Sequence, residues 1–312
     1  MEADDGIDLR VELAGISLKN PFLVCSGTFG NGREMSELVD LNALGGLMTK
    51  AVTLEPCPGN PPPRLWETPS GMLNSIGLEN KGLERFLAED LPWLSRFDVP
   101  VWVNVAGFSA REYVEVAEAV SRSGLAAAVE LNISCPNVEK GGAYFSRRPR
   151  EAAELVARVR EVVDIPLFVK LPPLPGAMRE TALAVAEAGA DGLSLINTLP
   201  AMAVDVERCR PRLGNVTGGL SGPAIHPVAV HAVWEASGAV DLPVIGMGGI
   251  WSCSDAVEML MAGAAAVAVG TLNLVDPRAV PRLAEELAGF MRWKGYRRVP
   301  DMVGLLRRRG WG

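Results

Sequence analysis

Residues 130–137 read Glu-Leu-Asn-Ile-Ser-Cys-Pro-Asn, a stretch dense in groups that could do chemistry. An apolar run closes on amide and hydroxyl side chains, and a thiol follows in the first residues of the next loop. Asn132 can both donate and accept hydrogen bonds, which suits a heterocycle edged with N–H and C=O groups. Pro136 fixes φ beside Cys135, so the thiol can be held over a ligand. A free thiol titrates near ~8.5, so Cys135 is a modest base whose strength its surroundings set. It is the candidate proton-transfer residue. Cys25, Cys57, Cys209 and Cys253 lack such a context and read as inert.

Only six of the 30 Lys and Arg residues are Lys, and two of these, Lys50 and Lys170, close apolar runs. An ammonium buried alone is costly, so each needs an anion. A bound ligand or a structural ion pair would serve. Asn74, Ser75, Ile76, Gly77 and Leu78, followed by Glu79 and Asn80, bring two amides and a glycine to one insertion. With Asn104, Asn132 and Asn197 they complete a ring of amides suited to a planar, at most singly charged heterocycle. A purely apolar pocket would discriminate such molecules poorly. Residues 245–250 (Ile-Gly-Met-Gly-Gly-Ile) and 269–272 (Val-Gly-Thr-Leu) end two further runs in glycines, which let backbone N–H groups approach a phosphate. His226 and His231, the only histidines, are five apart on one helix. They share no face for a metal and read as structural or surface groups.

These groups need a frame that brings them together. Eight apolar runs recur, at 21–26, 45–53, 100–106, 127–133, 166–171, 191–198, 242–248 and 264–271. Most are continuous rather than alternating, as expected of parallel strands buried on both faces. Amphipathic stretches such as 109–124, 149–163, 178–189 and 252–263 lie between them, several ending in Gly. Eight strand–helix units describe an α/β fold, the (β/α)8 TIM barrel. Residues 9–20, centred on Gly15, read as a β-hairpin ahead of the first strand. Insertions follow strands two (54–80), four (135–148) and six (199–222), on the catalytic face. No linker divides the chain, so residues 1–312 are expected to form a single domain. Lys50, Asn104, Asn132, Lys170, Asn197, Thr198, Gly248, Gly249, Gly270 and Thr271 all fall at C-terminal strand ends, where barrel active sites are built.

Composition narrows the function. A formal charge of -7 argues against a nucleic-acid or anionic-membrane binder. No CxxC or Cys/His cluster occurs, so no zinc or iron–sulfur site is expected. The N-terminus carries no basic region followed by an apolar run, and the longest apolar run, 263–275, is too short to span a bilayer. A reduced, soluble, cytoplasmic protein is expected.

With those residues in hand, the chain resembles the class 1 dihydroorotate dehydrogenases of pyrimidine biosynthesis from about Leu9 to Leu287. The resemblance is carried by SGTFG (26–30), TKAVT (49–53), NSIGLEN (74–80), VNVAG (103–107), ELNISCPNV (130–138), VKL (169–171), INT (196–198), GLSGPAI (219–225), GMGGI (246–250) and AVGT (268–271). It implies an FMN-containing barrel that oxidises dihydroorotate to orotate with Cys135 as base. Cys rather than Ser there separates it from the membrane-associated, quinone-linked class. ELNISCPNVEKGG is more similar to the NAD-linked subclass (class 1B) than to the fumarate-using homodimers of class 1A. The subclass implies a homodimer core within a heterotetramer, with FAD and a 2Fe–2S cluster on the partner subunit.

Position by position, the resemblance implies that Lys50 contacts FMN and substrate, and that Asn74, Ser75, Ile76, Gly77 and Leu78 line the orotate. Asn104, Asn132, Lys170 and Ile196 would contact the flavin, with Asn132 also reaching substrate. Asn197 and Thr198 would bind the substrate's polar edge. Ser26, Ala51, Gly222, Gly248, Gly249, Gly270 and Thr271 would complete the FMN site. The sequence departs from the family pattern at His226, where Lys is common after GPAI, and at Lys81, where Pro is common. Neither departure is expected to touch the chemistry. A dihydropyrimidine dehydrogenase-like flavoprotein subunit is the nearest alternative. A flavin-free barrel binding a phosphorylated metabolite, or a regulatory subunit without catalysis, is a more distant one.

Overall fold

The computed structural model describes residues 6–134 and 148–311. The chain opens with a hairpin, β1 (Val11–Leu13) and β2 (Ile16–Leu18), paired antiparallel through the Ala14–Gly15 turn. Leu13 and Leu18 turn inward from it and are buried. The strands that follow are β3 (Phe22–Val24), β4 (Gly46–Met48), β5 (Leu65–Thr68), β6 (Gly71–Asn74), β7 (Val101–Val105), β8 (Ala128–Asn132) and β9 (Leu167–Leu171). After them come β10 (Gly192–Leu195), β11 (Leu199–Ala201), β12 (Val204–Asp205), β13 (Arg210–Pro211), β14 (Gly218–Ser221), β15 (Val244–Met247) and β16 (Ala266–Val269).

Eight of these strands close into a parallel barrel in the order β3-β4-β7-β8-β9-β10-β15-β16. Each lies inside one of the eight apolar runs, so the expected (β/α)8 barrel is the observed fold. The amphipathic stretches form the helices Ala110–Arg122, Pro149–Arg160, Met178–Glu187 and Cys253–Ala262. Ser109 caps the first by accepting the Glu112 N–H, and Ser252 with Asp255 forms a capping box on the last.

Side chains alternate along a strand, so residues two apart share a face. Trp102 and Asn104 share one, as do Glu130 with Asn132 and Phe168 with Lys170. The lower layer is aromatic: the Trp102 and Phe168 rings meet edge to face with centroids 5.8 Å apart. Facing glycines make room for them. A Cβ on Gly46 would lie 2.9 Å from the Trp102 ring, and one on Gly192 would overlap Phe168. Truncating either ring would cost about 3–5 kcal/mol. Above this plug the same strands turn polar, and register sets the order: Asn104 pairs with Glu130, and Asn132 with Lys170.

The insertions after the second and sixth barrel strands contain structure that the sequence reading left blank. They pair with each other in a four-stranded antiparallel sheet, β11-β14-β6-β5. The β6–β14 register places Asn74 opposite Gly219. Most of the third insertion, with Cys135 in it, lies outside the described residues.

Candidate active site

The polar ends of the barrel strands and the β11-β14-β6-β5 sheet enclose a cavity of about 320 Å³. Ser26, Lys50, Ala51, Asn104, Asn132 and Lys170 line it from the first five barrel strands and their C-terminal ends. Ile196, Asn197, Thr198, Gly222, Gly248, Gly249, Gly270 and Thr271 line it from the later part of the chain. Asn74, Ile76, Gly77 and Leu78 reach it from the segment that begins at the end of β6. Ser75 does not line it. This residue is fully buried, its N–H bonded to the Arg64 carbonyl and its hydroxyl without a partner among the described residues.

The amides are oriented by a charge beneath them. Asn197 Nδ2 donates to Ser134 Oγ at 2.7 Å, and Ser134 Oγ donates to Asn132 Oδ1 at 2.8 Å. Asn132 Nδ2 then donates to Asn104 Oδ1 at 3.2 Å, and Asn104 Nδ2 donates to Glu130. Every donor in this chain points the same way because the ionised carboxylate at its foot can only accept. That fixes the Asn104 and Asn132 amides, whose two ends would otherwise be interchangeable. Each polarised link strengthens the next in a dry interior. Tyr113 closes the back, its hydroxyl donating to the Asn132 carbonyl at 2.8 Å.

The two lysines carry protein partners. Lys170, about 4% exposed, donates to Ser26 Oγ at 2.8 Å and lies 4.0 Å from Glu130, which is fully buried. Lys50 lies 3.5 Å from Glu79, which also binds Arg64 at 2.9 Å. The structural ion pair, one of the two partners open to these lysines, is therefore present at both, and each ammonium also faces the cavity. Glu130 and Glu79, the partners of these lysines, were not among the candidates that sequence reasoning named. For Glu130 a signal existed: it stands two residues before Asn132 and so shares its inward face.

Glycines shape the wall near the end of β15. Gly248 has φ +124°, and a Cβ there would lie 2.9 Å from the Ala229 side chain; Gly249 has φ +70° and would meet His226 at 2.6 Å. Only glycine serves at such backbone angles with so little room. His226 backs this loop directly: its Nδ1 lies 3.0 Å from the Gly248 carbonyl. His226, read from the sequence as a structural or surface group, is buried behind the cavity loop, and His231 is exposed.

Cys25 lies on the cavity wall beneath Gly270 and donates to the Ala268 carbonyl at 3.3 Å. Burial pushes its thiol up to about 12; nearby Lys170 lowers it and Glu130 raises it by smaller amounts. Burial likewise pushes Cys253 up to about 11. Cys209 is exposed. In folded protein at mildly alkaline pH, an alkylating reagent is expected to modify Cys209 well before Cys25 or Cys253, read by peptide mass mapping. Labelling of Cys25 as fast as Cys209 would contradict the burial described.

A family model described as "Dihydroorotate dehydrogenase" matches residues 8–291. The chain is 52% identical over 296 residues to the "Dihydroorotate dehydrogenase B (NAD(+)), catalytic subunit" of Anoxybacillus flavithermus, covering 95% of each chain. It is 51% identical over 296 residues to the protein of the same name in Bacillus cytotoxicus, covering 95% of this chain and 96% of that one. A crystal structure of Eimeria tenella DHODH in complex with ferulenol superposes with a TM-score of 0.83 at 23% identity, over 99% of this chain and 90% of that one, a likeness of fold. The match to the family model across nearly the whole barrel, with half the residues shared with full-length relatives, places the chain in the dihydroorotate dehydrogenase family.

Proposed function

We propose that this chain oxidises (S)-dihydroorotate to orotate in pyrimidine biosynthesis, using FMN held in the cavity, and passes the electrons through a partner subunit to NAD+. The observation that carries the reading is the hydrogen-bond chain from Asn197 to Glu130, which presents fixed amides to one side of a cavity whose opposite wall is glycine-lined. The residues fit FMN. The Gly248 and Gly249 backbone lines the cavity at positive φ, packed so closely on Ala229 and His226 that only glycine fits, and such a backbone can bring N–H groups up to a phosphate; Gly222, Gly270 and Thr271 extend this wall. Asn104, Asn132, Lys170, Ser26, Ala51 and Ile196 offer polar and apolar surface for the ring system.

When bound, FMN supplies the two-electron acceptor for the hydride that leaves C6 of dihydroorotate. The chain's own groups do the rest. Cys135 takes the proton from C5, so one hydride and one proton leave the substrate and the ring double bond forms. Lys50, with Asn74, Ile76, Gly77, Leu78, Asn132, Asn197 and Thr198, holds the substrate, and Ser75 supports that wall from behind. Their contribution is orientation together with charge stabilisation from groups that need not reorganise. Lys170 supplies a fixed positive charge at the cofactor.

The names of the relatives, each called a catalytic subunit, support an assembly with a second subunit. We place FAD and a 2Fe–2S cluster on that subunit and a homodimer of this chain at the centre of a heterotetramer. Residues 1–312 would act as one domain in the cytoplasm; no described helix is long and apolar enough to cross a membrane. Side-by-side assays with dihydroorotate and dihydrouracil test the substrate. Dihydroorotate is expected to be strongly preferred, because its carboxylate meets cationic Lys50. Preference for the uncharged ring would point instead to a dihydropyrimidine dehydrogenase-like subunit.

A further inference from the structure

His226 is about nine-tenths buried at the start of the helix His226–Ser237. Its Nδ1 lies 3.0 Å from the carbonyl oxygen of Gly248, and a carbonyl can only accept, so Nδ1 carries the proton. Nε2 then points its remaining valence into the gap toward the helix Cys253–Ala262. There it has no hydrogen-bond partner among the described residues. What faces it instead is two carboxylates: Glu258 Oε2 at 3.5 Å and Asp255 Oδ1 at 3.8 Å. Asp255 is poised for this, since its other oxygen, Oδ2, already accepts from Trp251 N, Ser252 N and Ser252 Oγ in capping the helix. A neutral imidazole in this tautomer would aim a bare lone pair at two negative charges.

We propose that His226, Asp255 and Glu258 form a binding site for a divalent transition-metal cation of the zinc type. One ligand atom from each residue lies within 4.8 Å of the others. A tetrahedral ion with bonds of about 2.0–2.1 Å holds its ligands roughly 3.4 Å apart, so a small inward movement of the carboxylates completes the set. One imidazole and two carboxylates give the mixed nitrogen and oxygen set that zinc accepts, with a fourth position for water on the side of exposed Glu258. The Gly248 carbonyl on Nδ1 is the outer partner that metal-bound histidines usually have, fixing tautomer and ring plane. Spacing along the sequence hides this site, because the carboxylates come from the neighbouring helix. The ion would tie two helices together directly behind the Gly248–Gly249 backbone, and its binding does not depend on what the cavity holds.

Equilibrium dialysis of the full-length flavoprotein against zinc, followed by elemental analysis, tests the proposal. Wild-type protein is expected to take up one zinc per chain. His226→Gln should abolish that uptake. Glu258→Gln, a change at an exposed side chain that leaves the helix cap intact, should weaken it by at least about ten-fold. No stoichiometric zinc in wild type, or uptake that either substitution leaves undiminished, overturns the site.

Discussion

Replacing Cys135 with alanine is expected to lower turnover of dihydroorotate by about 10²–10⁴-fold, the usual contribution of a positioned general base, while the protein stays yellow. The asymmetry follows from where the residues sit. The groups proposed to hold FMN are spread over the ends of β3, β4, β7, β8, β9, β10, β14, β15 and β16 and the segments beyond them, and Cys135 is not among them. The entry to its loop is fixed, because Ser134 is bonded to both Asn132 and Asn197. A thiolate is the working form of such a base, so wild-type activity should rise with pH, and that limb should vanish in the alanine variant. Cys135→Ser separates base strength from shape, since a hydroxyl is far the poorer base in a similar volume. Near-normal turnover in Cys135→Ala would remove this thiol from the mechanism.

Lys170→Met is expected to destabilise the flavin-free protein by about 3–5 kcal/mol, the cost of leaving a buried carboxylate without its countercharge. Glu130 is fully buried, and its other described partner is the neutral amide of Asn104. One of its oxygens already lacks a hydrogen-bond partner among the described residues. The double substitution Lys170→Met with Glu130→Gln removes both charges and should recover most of the loss. The shift in denaturation midpoint at constant slope reads the effect. Working without flavin keeps ligand binding from masking it. Equal losses in the single and double variants would mean that the pair is not the source of the cost. Glu130→Gln alone should also loosen the amide chain, because a neutral amide no longer dictates which way Asn104 points.

The barrel was legible in the sequence because both faces of its strands are buried. Continuous apolar runs such as 100–106 and 166–171 stand out against their surroundings, and the polar residue that interrupts each run near its end marks the mouth. Asn104, Asn132 and Lys170 were found in that way. Their partners were harder to see. Glu130 lies inside the same run as Asn132 and needed the period-two argument as well as strand register to become the foot of a hydrogen-bond chain. Glu79 meets Lys50 only after the insertion has folded back. The β6–β14 pairing joins segments nearly 150 residues apart, and its strands are short, with Leu65 and Trp66 of the adjoining β5 exposed. Such a sheet has no local hydrophobic signal. Histidine spacing says nothing of what faces His226 for a related reason: the nearby carboxylates belong to another helix.

Anaerobic mixing of dihydroorotate with the flavin-loaded chain, with no partner subunit and no electron acceptor present, isolates the first half of the reaction. The flavin's visible absorbance is expected to be lost, with one orotate formed per flavin. A flavin that stays bound and fully oxidised in excess dihydroorotate would contradict dihydroorotate oxidation in this cavity.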